Sequence, residues 1–386
     1  MKRLVVIGAG PMGLEAALGA LERGFDVTVL EKDEVGSALR RWGATTRFFS
    51  PLGMNLSERA KRILGTSLPP AETLLTGPAM VESVLAPLAA SAPLAGRVRT
   101  RHKVVAVGRE RMTRRDLPGH PLRAERAFRL LVETPQGERT LDADLVFDAS
   151  GVYDQPAAVG VGGVPARGER ALGRGLIRNL GALEQRLETL AGRRVLLVGH
   201  GHSAASAVAL FEGLDPAPWI TWATRSPNRR PCVEVANDPL PERQSIVSRA
   251  NDLAADPPSF LTVERRASVE AIESTSGGYG VTLTGNRNGA FDAVVGLTGY
   301  RPDLSFVSEL ALEVSPASEG AARLHRAISN VTDCLSIPDV KRADLESGEP
   351  GFYLTGSKSY GRLPTFLLQT GRAQLETLLG SLSSTL

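Results

Sequence analysis

Two stretches of this chain place glycines where a backbone could close on a phosphate. In the first, Gly8, Gly10 and Gly13 follow the apolar run Leu4-Val5-Val6-Ile7, with Pro11 and Met12 inside the turn. Gly8 suits a tight turn, Gly10 lets the main chain approach a pyrophosphate, and Gly13 offers no side chain to hold a helix off the strand. In the second, Gly199, Gly201 and Ala204 follow Val195-Leu196-Leu197-Val198, with His202 and Ser203 between them. Alanine at the third position keeps the same close packing. The next strands end differently. Val27-Thr28-Val29-Leu30 runs into Glu31, whose carboxylate can accept hydrogen bonds from an adenosine ribose. Trp219-Ile220-Thr221-Trp222 runs toward Arg225, with Arg229 and Arg230 behind it. A guanidinium can grip the 2′-phosphate that an acid would repel, so the second site is expected to take NADP(H) rather than NAD(H). His200 and His202 can be read equally as loop residues or as contacts to NADPH.

The elements that would position these residues are legible around them. A helical pattern from Leu14 to Arg23 follows the first turn, and one from Ala205 to Phe211 follows the second. A helix N-terminus then points free N–H groups and a partial positive charge at each phosphate site. The repeat predicts two dinucleotide sites. Between the repeats, Met80 to Leu88 reads as a helix and Val98 to Val107 as a strand. Arg129–Thr134 and Arg139–Leu141 flank a Pro135-Gln136-Gly137 hairpin turn. Leu145-Val146-Phe147-Asp148 is a buried-type strand, and Gly160 to Gly175 is a glycine-rich connector. Beyond Arg225, residues 226 to 260 show little periodicity and read as an insertion, either a substrate-facing lid or a long surface loop. Leu261-Thr262-Val263 and Val281-Thr282-Leu283 are expected strands around a Gly277-Gly278 turn. Phe352-Tyr353-Leu354 is a late strand, and Pro364 to Leu379 a helix with proline in its first turn. The N-terminus of that helix would suit the electron-rich edge of a reduced flavin.

A chain of 386 residues with 42% hydrophobic and 23% charged residues is long enough for two or three ordinary globular domains. Its formal charge of +3 comes from scattered arginines, which gives no reason to expect nucleic acid as a partner. Two cysteines, Cys232 and Cys334, provide neither a CxxC nor a zinc-like cluster, so no metal is expected and a reducing compartment is. The chain enters a strand at once and has no apolar run of bilayer length. A cytoplasmic protein without membrane contact is the expectation.

Taken together, the pattern resembles the two-dinucleotide-binding-domain flavoproteins, which include class B flavin monooxygenases and thioredoxin-reductase-like enzymes. Ala149-Ser150-Gly151 to Pro156 is similar to the Ala-Thr-Gly linker of that group, and Leu297-Thr298-Gly299-Tyr300-Arg301-Pro302-Asp303 looks like the second linker. The resemblance implies an α/β fold of two Rossmann-like three-layer (ββα) domains. A discontinuous FAD domain, 1–156 and 301–386, would be interrupted by an NADPH domain, 157–300. Three departures stand out. The redox-active CxxC of thioredoxin reductases is missing, and so is the FxGxxxHxxx(Tyr/Phe) motif of class B monooxygenases. Gly356-Ser357 stands where a Gly-Asp pair usually binds the flavin ribityl chain. Thr46 to Ser50 also resembles a segment of the bacillithiol-disulfide-reductase-like group.

What this implies is an FAD-dependent NADPH oxidoreductase acting on a small molecule. The leading expectation is monooxygenase-type chemistry, with hydride passing from NADPH to FAD and the reduced flavin meeting oxygen. The alternative is a reductase of an external disulfide, quinone or metal species that lacks an internal dithiol. A non-catalytic nucleotide sensor is a third class. Further cofactor candidates are Lys32, Arg40 and Trp42 beyond the acid, Val104 on the 98–107 strand, and the linker and C-terminal glycines Gly299 and Gly356. Spacing assigns no catalytic side chain, and a homodimer is allowed.

Overall fold

The computed structural model describes residues 1–331 and 333–382. The chain begins with β1 (Arg3–Ile7), α1 (Pro11–Leu21) and β2 (Asp26–Leu30), the unit expected from the first glycine turn. A helical stretch from Gly77 to Ala90, loosened into a π-type turn over Val81–Leu85, leads to β3 (Val98–Arg99) and β4 (Lys103–Arg109). Next come β5 (Phe128–Thr134), β6 (Gly137–Ala143) and β7 (Leu145–Asp148). The second half holds β8 (Leu176–Ile177), α2 (Leu180–Glu184), β9 (Arg194–Val198), α3 (His202–Glu212), β10 (Trp219–Thr224), α4 (Pro241–Ala255) and β11 (Leu261–Arg265). It ends with β12 (Val269–Thr275), β13 (Gly278–Leu283), β14 (Arg287–Phe291) and β15 (Ala293–Gly296), before β16 (Phe352–Leu354) and α5 (Leu368–Leu379).

Two five-stranded parallel sheets organise these elements, in the orders β16-β7-β1-β2-β3 and β11-β10-β9-β15-β8. Each half adds a three-stranded antiparallel meander, β4-β5-β6 in one and β12-β13-β14 in the other. The halves thus repeat one three-layer plan. The middles of their central strands are apolar because both faces are covered: Val5, Val6, Val146 and Phe147 in the first sheet and Val195, Leu196, Val294 and Val295 in the second are fully buried or nearly so. The chain passes between the halves twice, and the two passages pair with each other. Pro156 faces Tyr300 in an antiparallel bridge, Ala157 N–H donates to Gly299 O at 2.8 Å and Arg301 N–H to Gln155 O at 2.8 Å.

Four local expectations change. The segment 98–107 is two strands in different sheets, because Arg101 adopts a left-handed φ of 58° and turns the chain between them. The supposed irregular insertion 226–260 contains the 15-residue helix α4. β11 does not join a hairpin with β13 but pairs parallel to β10, and the Gly277-Gly278 turn links β12 to β13 instead. The last helix begins at Leu368 rather than Pro364, after a separate single turn at Ser357–Tyr360. Among the described residues no helix is long and apolar enough to cross a membrane, and no cluster of three or more metal-ligating side chains occurs.

Candidate functional site

The two glycine turns are near-copies in backbone geometry. Gly8 and Gly199 carry φ of 100° and 128°, which side-chain-bearing residues avoid. A Cβ on Gly199 would overlap the Leu297 carbonyl oxygen, and one on Gly13 the Gly8 carbonyl oxygen. Gly10 and Gly201 each precede a helix in extended geometry, at φ −83°, ψ −174° and φ −87°, ψ −176°. For both, an added Cβ would meet nothing within 4 Å. Neither α1 nor α3 has a side chain capping its first turn, so those N–H groups remain available to an anion.

A cavity of about 590 Å³ runs from the first glycine turn across to α3 and α4 of the other half. The first turn contributes Gly8, Gly10, Pro11 and Met12 to its wall, and the end of β2 contributes Glu31 and Lys32. Ala149, Ser150 and Gly151 of the first linker and Gly356 and Ser357 line it as well. From the second half come His202 and Ser203 at the start of α3, with Glu242 and Ile246 on α4.

Electrostatics along the wall are specific. Glu31 accepts from the N–H groups of Ala9 at 2.7 Å and Asp33 at 3.0 Å. Burial still pushes its carboxyl above the usual range, with those two hydrogen bonds opposing. Lys32 and Arg41 both grip Asp154 of the linker, at 2.7 and 2.8 Å. Burial would raise Asp154, but the two cations hold it below an ordinary aspartate. His202 is held below the ordinary histidine range by burial and then by Arg243, so it is neutral near pH 7; its ring meets Phe49 edge-on at 5.4 Å. Phe48, Trp42, Tyr153 and Tyr300 form a run of aromatic contacts, at centroid distances of 4.7, 5.9 and 4.9 Å, that walls the space between the halves. Glu184 of α2 crosses from the second half and accepts from the N–H and hydroxyl groups of both Thr45 and Thr46, at 2.7 to 3.2 Å.

A model of the pyridine nucleotide-disulphide oxidoreductase family matches residues 5–67, which take in the end of β1 and all of α1 and β2. No curated protein matches the sequence. Solved structures do match it over its length. Bacillithiol disulfide reductase from Bacillus cereus superposes with a TM-score of 0.69 at 16% identity, covering 98% of each chain. The same enzyme from Staphylococcus aureus gives 0.70 at 15%, covering 99% of this chain and 98% of that one. Ornithine N-hydroxylase from Kutzneria sp. 744 gives 0.65 at 15%, again with 99% and 98% covered. The fold is that of the two-dinucleotide-binding flavoproteins. At these identities the likeness is one of architecture alone.

In such a fold the observed cradles fit two dinucleotides. The space beyond Gly10 and Gly201 is the space a Cβ would fill, and the uncapped helix starts face it. Residues singled out from the sequence fall into two groups. Gly8, Gly10, Glu31, the first linker and Gly356-Ser357 gather on one wall of the cavity, with Trp42 beside them and His202 and Ser203 opposite. Others lie elsewhere. Arg40 points away to Glu82 at 3.6 Å, and its neighbour Arg41 lines the cavity instead. Val104 is buried in the β4-β5-β6 meander, and Gly13 and Ala204 pack helix against strand. Gly299 is the left-handed turn of the return linker, at φ 88°. Arg230 is ion-paired to Glu234 and Asp252 at 2.6 Å each, whereas Arg225 is exposed at the end of β10. Sequence reasoning did not single out Asn179, Tyr300 or Phe366, which also line the cavity. The one available signal was position: Tyr300 directly follows a linker glycine, and Phe366 lies two residues before the last helix.

Proposed function

We propose that this chain is an NADPH oxidoreductase that carries FAD on residues 1–156 and 301–386 and binds NADPH on residues 157–300. The observation that carries the reading is the pair of matching glycine turns, each opening an uncapped helix start, with one cavity spanning the two halves. Bound FAD would supply the hydride acceptor and the route onward to oxygen or another acceptor. The chain supplies the rest. The N–H groups around Gly10 and Gly201 receive the two pyrophosphates, and Glu31 receives the ribose of the first dinucleotide. Arg225 is the binding group for a 2′-phosphate. The aromatic run from Phe48 to Tyr300 keeps water from the space between the halves, and Glu184 on Thr45 and Thr46 fixes their mutual orientation.

Monooxygenase-type chemistry on a small molecule is the first reading of the oxidative half-reaction. The second is direct reduction of an external acceptor. One observation bears on it: Cys232 and Cys334 are both buried, and burial pushes the Cys232 thiol up to about 12, so neither is a ready thiolate. Electrons in that case leave from the flavin without a thiol relay. Anaerobic reduction by NADPH followed by oxygen separates the two. The monooxygenase reading expects slow release of hydrogen peroxide and product formation in a substrate screen. Prompt release of all the reducing equivalents as peroxide, with fast turnover on a quinone or disulfide, would overturn it in favour of the second.

A further inference from the structure

β10 and β11 run parallel with Thr224 opposite Arg265, so the residues that leave the two strands, Arg225 and Arg266, are neighbours as well. Both are exposed, and no carboxylate among the described residues is ion-paired to either. The arginines around them are committed elsewhere. Arg230 holds Glu234 and Asp252, Arg229 donates to Ala255 O at 3.0 Å, and Arg265 donates to the carbonyls of Asn228, Arg229 and Ala254. The nearest acid in sequence, Glu264, is paired with Arg287. Arg266 also sits in a left-handed conformation, φ 51°, which a side-chain-bearing residue rarely adopts. Its N–H is turned toward Ser226 O at 3.4 Å, and its carbonyl accepts from the Thr284 hydroxyl at 3.3 Å, so the backbone is held there from both sides. On the other flank lies His200 of the second glycine turn, close enough for the Arg225 charge to reinforce burial in lowering its proton affinity.

Two cationic side chains that leave adjacent strand ends without a carboxylate partner can converge on one anion, which each of them would attract. The place is also the right one. It is the carboxyl end of a parallel sheet, one strand (β10) and two strands (β11) out from the glycine turn that follows β9, beside the place where the adenosine ribose of a dinucleotide lies. Two planar forks there can meet a dianionic phosphate from two directions.

We propose that Arg266 is the second guanidinium of the 2′-phosphate site, so that selection of NADPH over NADH is set jointly by the ends of β10 and β11. The inference rests on the reading that the second cradle takes NADPH, and it adds a residue that the glycine pattern does not reach.

The test uses the flavin-loaded full chain and calorimetric binding of 2′,5′-ADP and 5′-AMP, which differ by the phosphate in question. Arg266→Asn is the informative variant, because asparagine tolerates the left-handed conformation. Arg266→Gly repeats the measurement should the asparagine variant melt early. Arg225→Gln is its partner, and Arg229→Gln removes a nearby charge already tied to a carbonyl. Loss of one charge-assisted contact predicts at least a tenfold weaker 2′,5′-ADP for the Arg266 and Arg225 variants. 5′-AMP should change less than twofold, and Arg229→Gln should alter neither ligand. The inference falls if the native chain prefers 2′,5′-ADP and the Arg266 variants keep that preference within twofold, or if they weaken both ligands equally. A native chain that binds the two ligands alike would overturn the NADPH reading itself and the inference with it.

Discussion

Replacing Gly201 by alanine should separate the fold from the cofactor. The residue precedes α3 at φ −87°, ψ −176°, which alanine adopts freely, and its Cβ would meet no atom within 4 Å. Alanine is a poorer N-cap than glycine by up to about 1 kcal/mol. It also restricts the unfolded chain, which returns about 0.4–1 kcal/mol. The melting temperature should therefore barely move. Binding is another matter, because the methyl occupies the space through which the backbone reaches a pyrophosphate. Losing one hydrogen bond to a charged group costs about 1.5–3 kcal/mol, or about 10- to 150-fold in affinity. The assay is the NADPH concentration dependence of anaerobic flavin reduction, with a thermal melt and the flavin absorbance as controls. Raised KM at unchanged melting temperature and flavin content is the expected result. An unchanged KM would refute the assignment of the second turn. Gly199→Ala is the contrasting variant: at φ 128°, with its Cβ overlapping the Leu297 carbonyl, it should lose stability outright.

The mirror substitution, Gly10→Ala, should yield a folded protein that purifies with markedly less FAD while still binding 2′,5′-ADP, measured by absorbance and calorimetry. Glu31→Gln keeps the shape but loses the charge, and its single acceptor oxygen can serve only one of the Ala9 and Asp33 N–H groups. FAD retention on dilution should fall by about tenfold, corresponding to the lower half of the 1–3 kcal/mol for an unpaired buried donor. Glu349→Gln should destabilise the chain by about 3–5 kcal/mol in a urea melt, because Arg109 and Arg123 at 2.9 and 2.8 Å would be left buried without a counter-charge. Burial would raise the Glu349 carboxyl, but Arg123, the Ala311 N–H and Arg109 outweigh it and hold it low. Its contribution is therefore full above the unfolded value of about 4.3 and is lost as pH falls through the lower folded value. The variant should accordingly show a flatter acid limb than the native chain.

The parts of the molecule that were legible in the sequence are those in which backbone conformation alone dictates residue type. Gly8, Gly13 and Gly199 are positions where any side chain would collide or strain, so their spacing reports strand, turn and helix together. α4 was hidden for the opposite reason. Its buried face includes Arg243, which is satisfied by Asp238 and Asp333, and Asn251, which pairs with the backbone of Cys232. Polar residues at core positions erase the apolar periodicity by which a helix is recognised. The start of α5 was misplaced because Pro364 suits a first helical turn, yet Tyr360 and Phe366 stack edge-on at 5.3 Å and hold the intervening chain in a turn. At the site, one-residue resolution failed at Arg40 and Arg41, since the pattern names a basic pair and only packing decides which member faces the cavity. Residues brought in by long-range folding, such as Asn179, carry no local mark at all.

The most direct test of two cofactors meeting within one chain is an anaerobic titration of the purified protein with NADPH, followed by flavin absorbance. A yellow protein bleached by one equivalent of NADPH, and far less efficiently by NADH, is the predicted result. A colourless protein that cannot be loaded with FAD, or a bound flavin that NADPH leaves oxidised, would contradict the account.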